Sequence, residues 1–278
     1  MPTIQTKHTR APATEIYYET YGQGRPVVLI HGWPLSGRMW EGQIDALRHA
    51  GYQVVAYDRR GFGQSGKTST GYDYDTFASD LKDLLETLDL RDVTLVGFSM
   101  GGGEVSRYAG LYGTERLHSA MLVASIAPYL LKTADNPDGG LAEADVEGMV
   151  AQVAANRPQF LAGFTKQFLN WDENGAALGN EFLDFAAQMY MQASSVASQE
   201  CVRAFGTTDF RADLARLTVP TLVVHGDADR VVPLEASGQR VPQYQKGAEL
   251  HVMKGAPHGL NSTHAEEFNR VLLDFVKR

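Results

Sequence analysis

The amino-acid sequence predicts an α/β protein with a mostly parallel central sheet and helices on both of its faces. Three observations lead to this fold class. Short apolar runs alternate with longer helical patterns at both ends of the chain, the runs are apolar at nearly every position, and a long central segment has helical patterns only. Nearly continuous apolar runs are typical of parallel strands whose two faces are both covered.

The apolar runs give the predicted strands. In chain order they are Glu15–Glu19, Val27–Ile30, Val54–Tyr57, Val93–Val96, Ala120–Val123, Thr221–Val224 and Glu249–Met253. Helices are predicted over Asp75–Leu90, Glu104–Leu111 and Ala265–Val276. In the first of these, Phe77, Leu81 and Leu84 recur at helical spacing, so we expect these helices to pack on the sheet.

The alternation stops in the middle of the chain. From about Pro128 to Pro220 several helical patterns follow one another with no strand between them, after a loop signal around Asn136, Pro137 and Gly139. The simplest interpretation is an all-helical cap, residues 128–217, inserted between two strands of one sheet. Residues 1–127 and 218–278 then form the core domain.

Composition excludes several classes of function. The 278 residues carry 25 basic and 33 acidic side chains, a formal net charge of -8, so nucleic acid is not an expected partner. No apolar stretch reaches the roughly 20 residues of a membrane span, and the N-terminal residues lack the apolar segment of a secretory signal. The single cysteine, Cys201, cannot form an internal disulfide. We therefore expect a cytoplasmic protein with no membrane partner.

A candidate nucleophile lies between a strand and a helix. The run Gly97-Phe98-Ser99-Met100-Gly101 follows the strand Val93–Val96 and precedes a helical pattern. In a strand–turn–helix context, G-x-S-x-G is the nucleophile-elbow motif, in which small residues flank the serine because the turn is crowded. The motif predicts that the Ser99 hydroxyl projects into a cleft at a helix N-terminus.

A serine nucleophile needs a base and an acid that orients the base. His258 lies in a loop between the last strand and the last helix, where a base is expected. His251 falls inside a strand pattern, and His264 begins a helix. The acid is expected after the strand Thr221–Val224, where Asp227 and Asp229 both qualify and spacing alone does not choose between them.

A second motif suggests a different function. Residues 61–68 match the phosphate-binding pattern G-x-x-x-x-G-K-[ST], and residues 61–66 also match G-x-G-x-x-G. A phosphate loop requires a helix that begins at the Lys-Thr pair, but residues 69–73 have the pattern of a turn. We therefore do not expect a nucleotide site.

A metal site is not expected either. The sequence has no His-Glu-x-x-His pattern and no cysteine cluster, which are the patterns that would predict one.

Several motifs together resemble one family. They are His31-Gly32-Trp33-Pro34, the run from Asp58 to Ser65, the run from Gly97 to Gly103, the run from His225 to Asp229, and Pro257-His258-Gly259. In this combination the chain resembles the cofactor-free haloperoxidase and aryl esterase family of α/β-hydrolases over nearly its whole length. The resemblance implies an α/β-hydrolase fold, no cofactor, and Asp229 as the acid, with Asp227 structural.

The resemblance also suggests the remaining site residues. In this fold the oxyanion is held by backbone N–H groups of the residue after the nucleophile and of a loop after an early strand, here Met100 and Trp33. By similarity, the substrate pocket is expected to include Trp33, Phe160, Phe164, Phe205 and Val231.

The function implied is that of a serine hydrolase that cleaves small carboxylic esters through an acyl-enzyme on Ser99. Perhydrolase side activity is expected when hydrogen peroxide replaces water, and Trp33-Pro34 resembles the members called perhydrolases. Two alternatives stay open: hydrolysis of lactones or cyclic amides by the same residues, and a small-molecule receptor on a hydrolase fold. Many members of the family are homo-oligomers, so self-association is also an expectation.

Overall fold

The structure is a computed structural model, and it describes residues 1–8 and 11–278. The strands are β1 (Thr3–Gln5), β2 (Glu15–Tyr21), β3 (Pro26–Ile30), β4 (Gln53–Tyr57), β5 (Val93–Phe98), β6 (Leu117–Val123), β7 (Thr221–Gly226) and β8 (Glu249–Met253). The helices are α1 (Glu41–His49), α2 (Tyr74–Thr87), α3 (Met100–Tyr112), α4 (Glu143–Phe168), α5 (Trp171–Leu178), α6 (Asn180–Met191), α7 (Ser195–Thr207), α8 (Arg211–Leu214), α9 (Val241–Tyr244), α10 (Leu260–Thr263) and α11 (Ala265–Val276). Short 3-10 helices span Gly37–Trp40, Leu234–Ala236 and Gly238–Arg240.

The strands form one sheet. Within the described residues it has eight strands in the order β1-β2-β4-β3-β5-β6-β7-β8. The pairs β1–β2 and β2–β4 are antiparallel, and all other pairs are parallel. The predicted α/β class with a mostly parallel sheet is confirmed. Strand β1, which the sequence did not predict, extends one edge of the sheet.

Alternate residues of the central strands pack into two different cores. Val28 and Ile30 of β3 face a core that also contains the apolar side of α2 and α3. Val27 and Leu29 face the other core, together with α1 and α11. Both faces of the sheet are therefore covered, which explains why the strand runs are apolar at nearly every position.

The helical segment lies between β6 and β7, as the sequence predicts. It contains α4 to α8, and its first residues form two isolated bridges, Leu131 with Leu141 and Thr133 with Asn136. Helix α4 is two helical pieces joined at Asn156, whose backbone is not helical, two residues before Pro158. Proline lacks the N–H that would continue the helix, which accounts for the kink. No helix in the described residues is long and apolar enough to cross a membrane.

A buried ion pair ties helix α3 to the loops at the carboxyl ends of β3 and β4. The Arg59 guanidinium donates to a Glu104 carboxylate oxygen at 2.7 Å and to the carbonyl of His31 at 2.9 Å. The Tyr57 hydroxyl donates to the other Glu104 oxygen. The side chains of Arg59 and Glu104 are at most 1% exposed. Neither charge can be hydrated if the other is removed.

We therefore expect Glu104→Ala to lower the free energy of unfolding by about 3 to 5 kcal/mol, because the Arg59 charge would stay buried without its partner. Urea unfolding followed by circular dichroism measures this. Glu147→Ala is the control: it removes the exposed pair with Arg203 and should leave the urea midpoint near that of the unaltered chain. Equal midpoints for the two variants would contradict the importance of the buried pair.

Candidate active site

The G-x-S-x-G run forms a sharp turn between β5 and α3. Ser99 has φ 52° and ψ −116°, a backbone conformation that residues other than glycine rarely adopt. The two flanking glycines are required by space. A Cβ on Gly97 would lie 2.4 Å from the carbonyl oxygen of Gly101, and a Cβ on Gly101 would lie 2.5 Å from that of Ile30.

His258 connects Ser99 to a carboxylate. Its Nε2 lies 2.9 Å from the Ser99 hydroxyl oxygen, and its Nδ1 lies 2.6 Å from Oδ2 of Asp229. Because a carboxylate only accepts hydrogen bonds, the proton of neutral His258 belongs on Nδ1, and Nε2 is left to accept the proton of the serine hydroxyl. The arrangement can therefore remove a proton from Ser99.

Aromatic rings fix the plane of the imidazole. The Phe98 ring lies 5.1 Å from the His258 ring and the Phe168 ring lies 5.0 Å from it, between ring centroids. His258 itself is only 1% exposed. Phe98 comes from the strand before Ser99 and Phe168 from the end of α4, so the core and the helical segment both hold the histidine. Sequence analysis did not identify these two phenylalanines as neighbours of the site.

The structure distinguishes the two carboxylates that follow β7. Oδ1 of Asp229 accepts the backbone N–H groups of Val231 and Val232, both at 2.8 Å, which directs Oδ2 to His258. Asp227 instead accepts the Gly255 N–H at 2.6 Å and joins the ends of β7 and β8. It is therefore Asp229 that lies next to His258, as the family resemblance implied.

A second histidine, His225, also reaches Asp229. Its Nε2 lies 2.9 Å from the Val232 carbonyl oxygen and 3.2 Å from Oδ2 of Asp229, and its side chain is fully buried. Since the Val232 carbonyl only accepts, His225 carries its proton on Nε2. Sequence reasoning missed His225, and its position directly before Gly226 and Asp227 at the end of a strand was the available signal.

The electrostatics keep Asp229 charged. Burial by itself would raise the pKa of the Asp229 carboxyl, but the neighbouring His258 and His225 imidazoles outweigh burial and hold that pKa below its usual range. An ionised Asp229 can stabilise the imidazolium that forms when His258 accepts a proton.

The two backbone N–H groups predicted for the oxyanion belong to elements that meet at Ser99. Met100 is the first residue of α3, so its N–H has no acceptor within the helix. The loop after β3 lies against the serine, because a Cβ on Gly32 would come within 3.1 Å of the Ser99 Cβ. Trp33 follows in that loop. Helix N-termini favour negative charge, so an oxyanion is electrostatically suited to this position.

A small apolar cavity adjoins the serine. Its volume is about 40 Å³, and it is lined by Trp33, Ser99, Ile126, Leu130, Leu141, Met149, Phe164, Phe205, Val231 and Val232. Four of the predicted pocket residues are among them. The fifth, Phe160, lies outside: it lines a wider outer groove that shares Leu141, Met149, Phe164 and Val231 with the cavity. Phe160 is one helical turn before Phe164 on α4 and packs on the rings of Phe164 and Trp33.

The Trp33 side chain is fixed at the wall of the cavity. Its indole N–H donates to the Ser198 carbonyl at 3.0 Å. Its ring contacts Phe164 and Phe205, with centroids 5.3 Å and 5.8 Å away. Trp33 therefore joins the loop after β3 to helices α4 and α7 beside Ser99.

The phosphate-loop motif does not form a phosphate site. Residues 67–73 are not helical, and α2 begins only at Tyr74. The Lys67 ammonium donates to the carbonyls of Gly63 and Ser65 in its own loop. Asp58 accepts the N–H groups of Gly37 and Gln64 and holds the same loop in place.

One group of metal-ligating side chains meets in the part of the chain that the structure describes. His8, Asp83 and Glu86 place ligand atoms within 4.8 Å of one another. None of the three lines the Ser99 cavity, and Asp83 already accepts the backbone N–H groups of Lys7 and His8. The group is an ion-pair cluster beside α2, away from the serine.

Comparisons with known proteins agree with this architecture. Residues 25–265 match the family described as alpha/beta hydrolase fold. A non-heme chloroperoxidase of Kitasatospora aureofaciens is 45% identical, over 97% of this chain and 98% of the relative. A bifunctional esterase/perhydrolase of Acinetobacter calcoaceticus is 34% identical, over 97% and 98%. The crystal structure of a bromoperoxidase from Bacillus anthracis superimposes with a TM-score of 0.94 at 47% identity, covering 100% of both chains. The chain therefore belongs to the α/β-hydrolase fold family, among relatives named non-heme haloperoxidases and esterase/perhydrolases.

Proposed function

We propose that this protein is a serine hydrolase that cleaves small carboxylic esters through an acyl-enzyme on Ser99. The observation that carries the proposal is the unbroken hydrogen-bond chain from the Ser99 hydroxyl through His258 to Asp229. This chain supplies a nucleophile, a base and a group that orients the base, which is the minimum that acyl transfer requires.

In acylation, His258 Nε2 takes the hydroxyl proton while the Ser99 oxygen attacks the ester carbonyl carbon. The backbone N–H groups of Trp33 and Met100 stabilise the oxyanion. Collapse of the tetrahedral intermediate breaks the ester C–O bond, and the alcohol leaves with the proton from His258. Water then attacks the acyl-enzyme with His258 as base again, which releases the carboxylic acid and restores Ser99.

The cavity supports a small acyl group. About 40 Å³ of apolar space beside Ser99 suits an acetyl or propionyl chain, and Met149, Leu130 and Val231 limit anything longer. The wider outer groove, which continues from this cavity past Met149, suits a bulkier alcohol portion such as an aryl group.

Perhydrolysis is a second proposed activity. Relatives named chloroperoxidase and esterase/perhydrolase align over nearly the whole chain, and the Trp33-Pro34 pair resembles the perhydrolase members. When hydrogen peroxide replaces water in deacylation, it gives a proton to His258 and its oxygen attacks the acyl carbon. The bond between that carbon and the Ser99 oxygen then breaks, Ser99 takes the proton from His258, and the product is a peracid. The peracid can then oxidise a halide in solution, so halide oxidation needs no redox group on the protein.

A burst experiment tests the acyl-enzyme. With p-nitrophenyl acetate, we expect rapid release of about one p-nitrophenol per Ser99, followed by steady turnover, and no burst from Ser99→Ala. With hydrogen peroxide present, peracetic acid should also form. A burst that persists in Ser99→Ala would rule out Ser99 as the nucleophile. Activity on lactones or cyclic amides but not on open-chain esters would change the substrate class. Tight binding without turnover would favour a receptor.

Replacing each carboxylate after β7 tests the choice of acid. Asp229→Asn should lower kcat by about 10⁴-fold, the loss seen when the orienting aspartate of a serine protease is replaced. Asp227→Asn keeps an oxygen that can accept the Gly255 N–H and removes only the negative charge of a side chain that does not reach His258, so kcat should stay within about threefold of the unaltered enzyme. Steady-state kinetics on p-nitrophenyl acetate measure both. A larger loss in Asp227→Asn would reverse the assignment.

Enlarging the cavity should change the preferred acyl chain. Met149→Ala is expected to raise the ratio of kcat/KM for p-nitrophenyl butyrate over acetate by about tenfold, because one or two methylenes in an apolar pocket are worth that much. Val150→Ala is the control, since Val150 is buried next to Met149 but does not line the cavity. If the ratio changes equally in both variants, the acyl chain does not lie in this cavity.

A further inference from the structure

His31 is a fully buried histidine for which the acyl-transfer mechanism has no use. It follows β3 directly, and it is 0% exposed. Its ring packs edge-on against the Phe62 ring, with centroids 5.6 Å apart. Burying a polar ring is unfavourable unless its nitrogen atoms are hydrogen-bonded, so the partners of the two nitrogens indicate what the ring does.

Both ring nitrogens of His31 have backbone partners. Nδ1 lies 2.9 Å from the carbonyl oxygen of Gly32, and the backbone N–H of Arg59 donates to Nε2 at 2.9 Å. The carbonyl can only accept and the N–H can only donate, so His31 is neutral and carries its proton on Nδ1. Burial, and after it the charge of Arg59, hold the pKa of His31 well below its usual range, which keeps the ring in this form.

The bond from His31 to Gly32 fixes the direction of the next N–H group. The Gly32 carbonyl and the Trp33 N–H belong to one peptide unit, which is planar and trans, so the two groups point in opposite directions. The backbone N–H of Leu35 also donates to the Gly32 carbonyl, at 3.0 Å. These two donors set the plane of the peptide and therefore the direction of the Trp33 N–H.

The Trp33 N–H is free beside the serine. No acceptor within residues 1–8 and 11–278 takes it, although Trp33 is only 3% exposed. The same peptide lies against Ser99, because a Cβ on Gly32 would be 3.1 Å from the Ser99 Cβ. A buried backbone N–H without an acceptor is rare, and one beside a nucleophile is suited to a developing oxyanion.

Arg59 holds His31 at two points. Its backbone N–H donates to the ring, and its guanidinium donates to the His31 carbonyl at 2.9 Å. The same guanidinium pairs with Glu104 on α3, the helix that begins with Met100. The backbone N–H groups of Met100 and Trp33, the two proposed oxyanion donors, are therefore connected through one buried network.

We propose that His31 is a positioning residue of the oxyanion site. By donating to the Gly32 carbonyl, it directs the Trp33 N–H towards the oxygen that becomes negatively charged in the tetrahedral intermediate. His31 does not line the cavity beside Ser99, so it acts through the peptide and not on the substrate. Its effect on the rate rests on the proposed acyl-transfer function, whereas the orientation of the peptide does not.

Two amide variants separate the two bonds of His31. The Nδ2 of Asn can take the place of the histidine Nδ1, so His31→Asn can still donate to the Gly32 carbonyl. The Oε1 of Gln can take the place of Nε2, so His31→Gln keeps only the bond from the Arg59 N–H. With p-nitrophenyl acetate, kcat and kcat/KM of His31→Gln should fall together by about 10²-fold, the loss expected when a catalytic group is displaced by about 1 Å. His31→Asn should stay within about fivefold of the unaltered enzyme, and equal losses in the two variants would overturn the proposal.

Thr94→Val is the control for a loss of stability. Thr94 is fully buried on β5, the strand that leads to Ser99, and its hydroxyl lies 2.9 Å from that of Ser119. The variant should lower the urea midpoint and leave kcat unchanged, because the lost hydrogen bond does not reach the oxyanion site. If kcat falls in Thr94→Val as much as in His31→Gln, the loss follows stability, which would contradict a positioning role for His31.

A crystal structure of His31→Gln tests the orientation without any ester. We expect the Gly32–Trp33 peptide to turn and the Trp33 nitrogen to move by about 1 Å or more relative to the unaltered protein. A peptide that keeps its direction would overturn the proposal, whether or not the protein hydrolyses esters. A turned peptide in a protein that shows no Ser99-dependent burst would support the role of His31 and reject only the proposed ester chemistry.

Discussion

The backbone of Ser99 is the constraint on which the site depends. Holding a residue at φ 52° and ψ −116° is unfavourable by a free energy on the order of 1 to 3 kcal/mol, and such a conformation persists only where the surrounding structure enforces it. Here the Ser99 N–H donates to the Val123 carbonyl at 2.8 Å, and the Ser99 carbonyl accepts the Gly102 N–H at 3.0 Å. The neighbouring strand and the first turn of α3 thus hold the turn from both sides, and the side chain is directed away from the sheet.

The parallel sheet brings the other groups to this serine. The loops after β3, β5, β7 and β8 all leave the same edge of the sheet, because parallel strands end on one side. Ser99 and His258, which are 159 positions apart in the chain, therefore come within hydrogen-bond distance. The buried pair of Arg59 and Glu104 joins the loops after β3 and β4 to α3, the helix that begins directly after Ser99. The positions of these loops relative to Ser99 therefore depend on this pair.

The sequence predicted the central strands well because both faces of each are buried, which leaves a continuous apolar signal. It missed β1, whose three residues are too few to show a period and of which only Ile4 is buried.

Ser99 and His258 could be identified from local motifs. The choice between Asp227 and Asp229 could not be made from spacing. It depends on the folded loop, in which the Val231 and Val232 N–H groups donate to Asp229 Oδ1 and leave Oδ2 next to His258. The contacts of Phe98 and Phe168 are tertiary and leave no local pattern, and the only local signal for His225 was its position before Gly226 and Asp227 at the end of a strand. Phe160 and Phe164 look alike in sequence, and only the packing of α4 places one in the cavity and the other outside it.

The burial of Cys201 has a consequence for a protein proposed to handle hydrogen peroxide. Cys201 is the only cysteine of the chain, it is fully buried on α7, and burial raises the pKa of its thiol. Oxidants react with the thiolate, so this sulfur is protected both by access and by charge state. Met149, which lines the cavity beside Ser99, is half-buried and is therefore more accessible to an oxidant than Cys201. Conversion of Met149 to its sulfoxide would put a polar group into the cavity beside Ser99. Gradual inactivation by the peracid product would then begin at that methionine rather than at the cysteine.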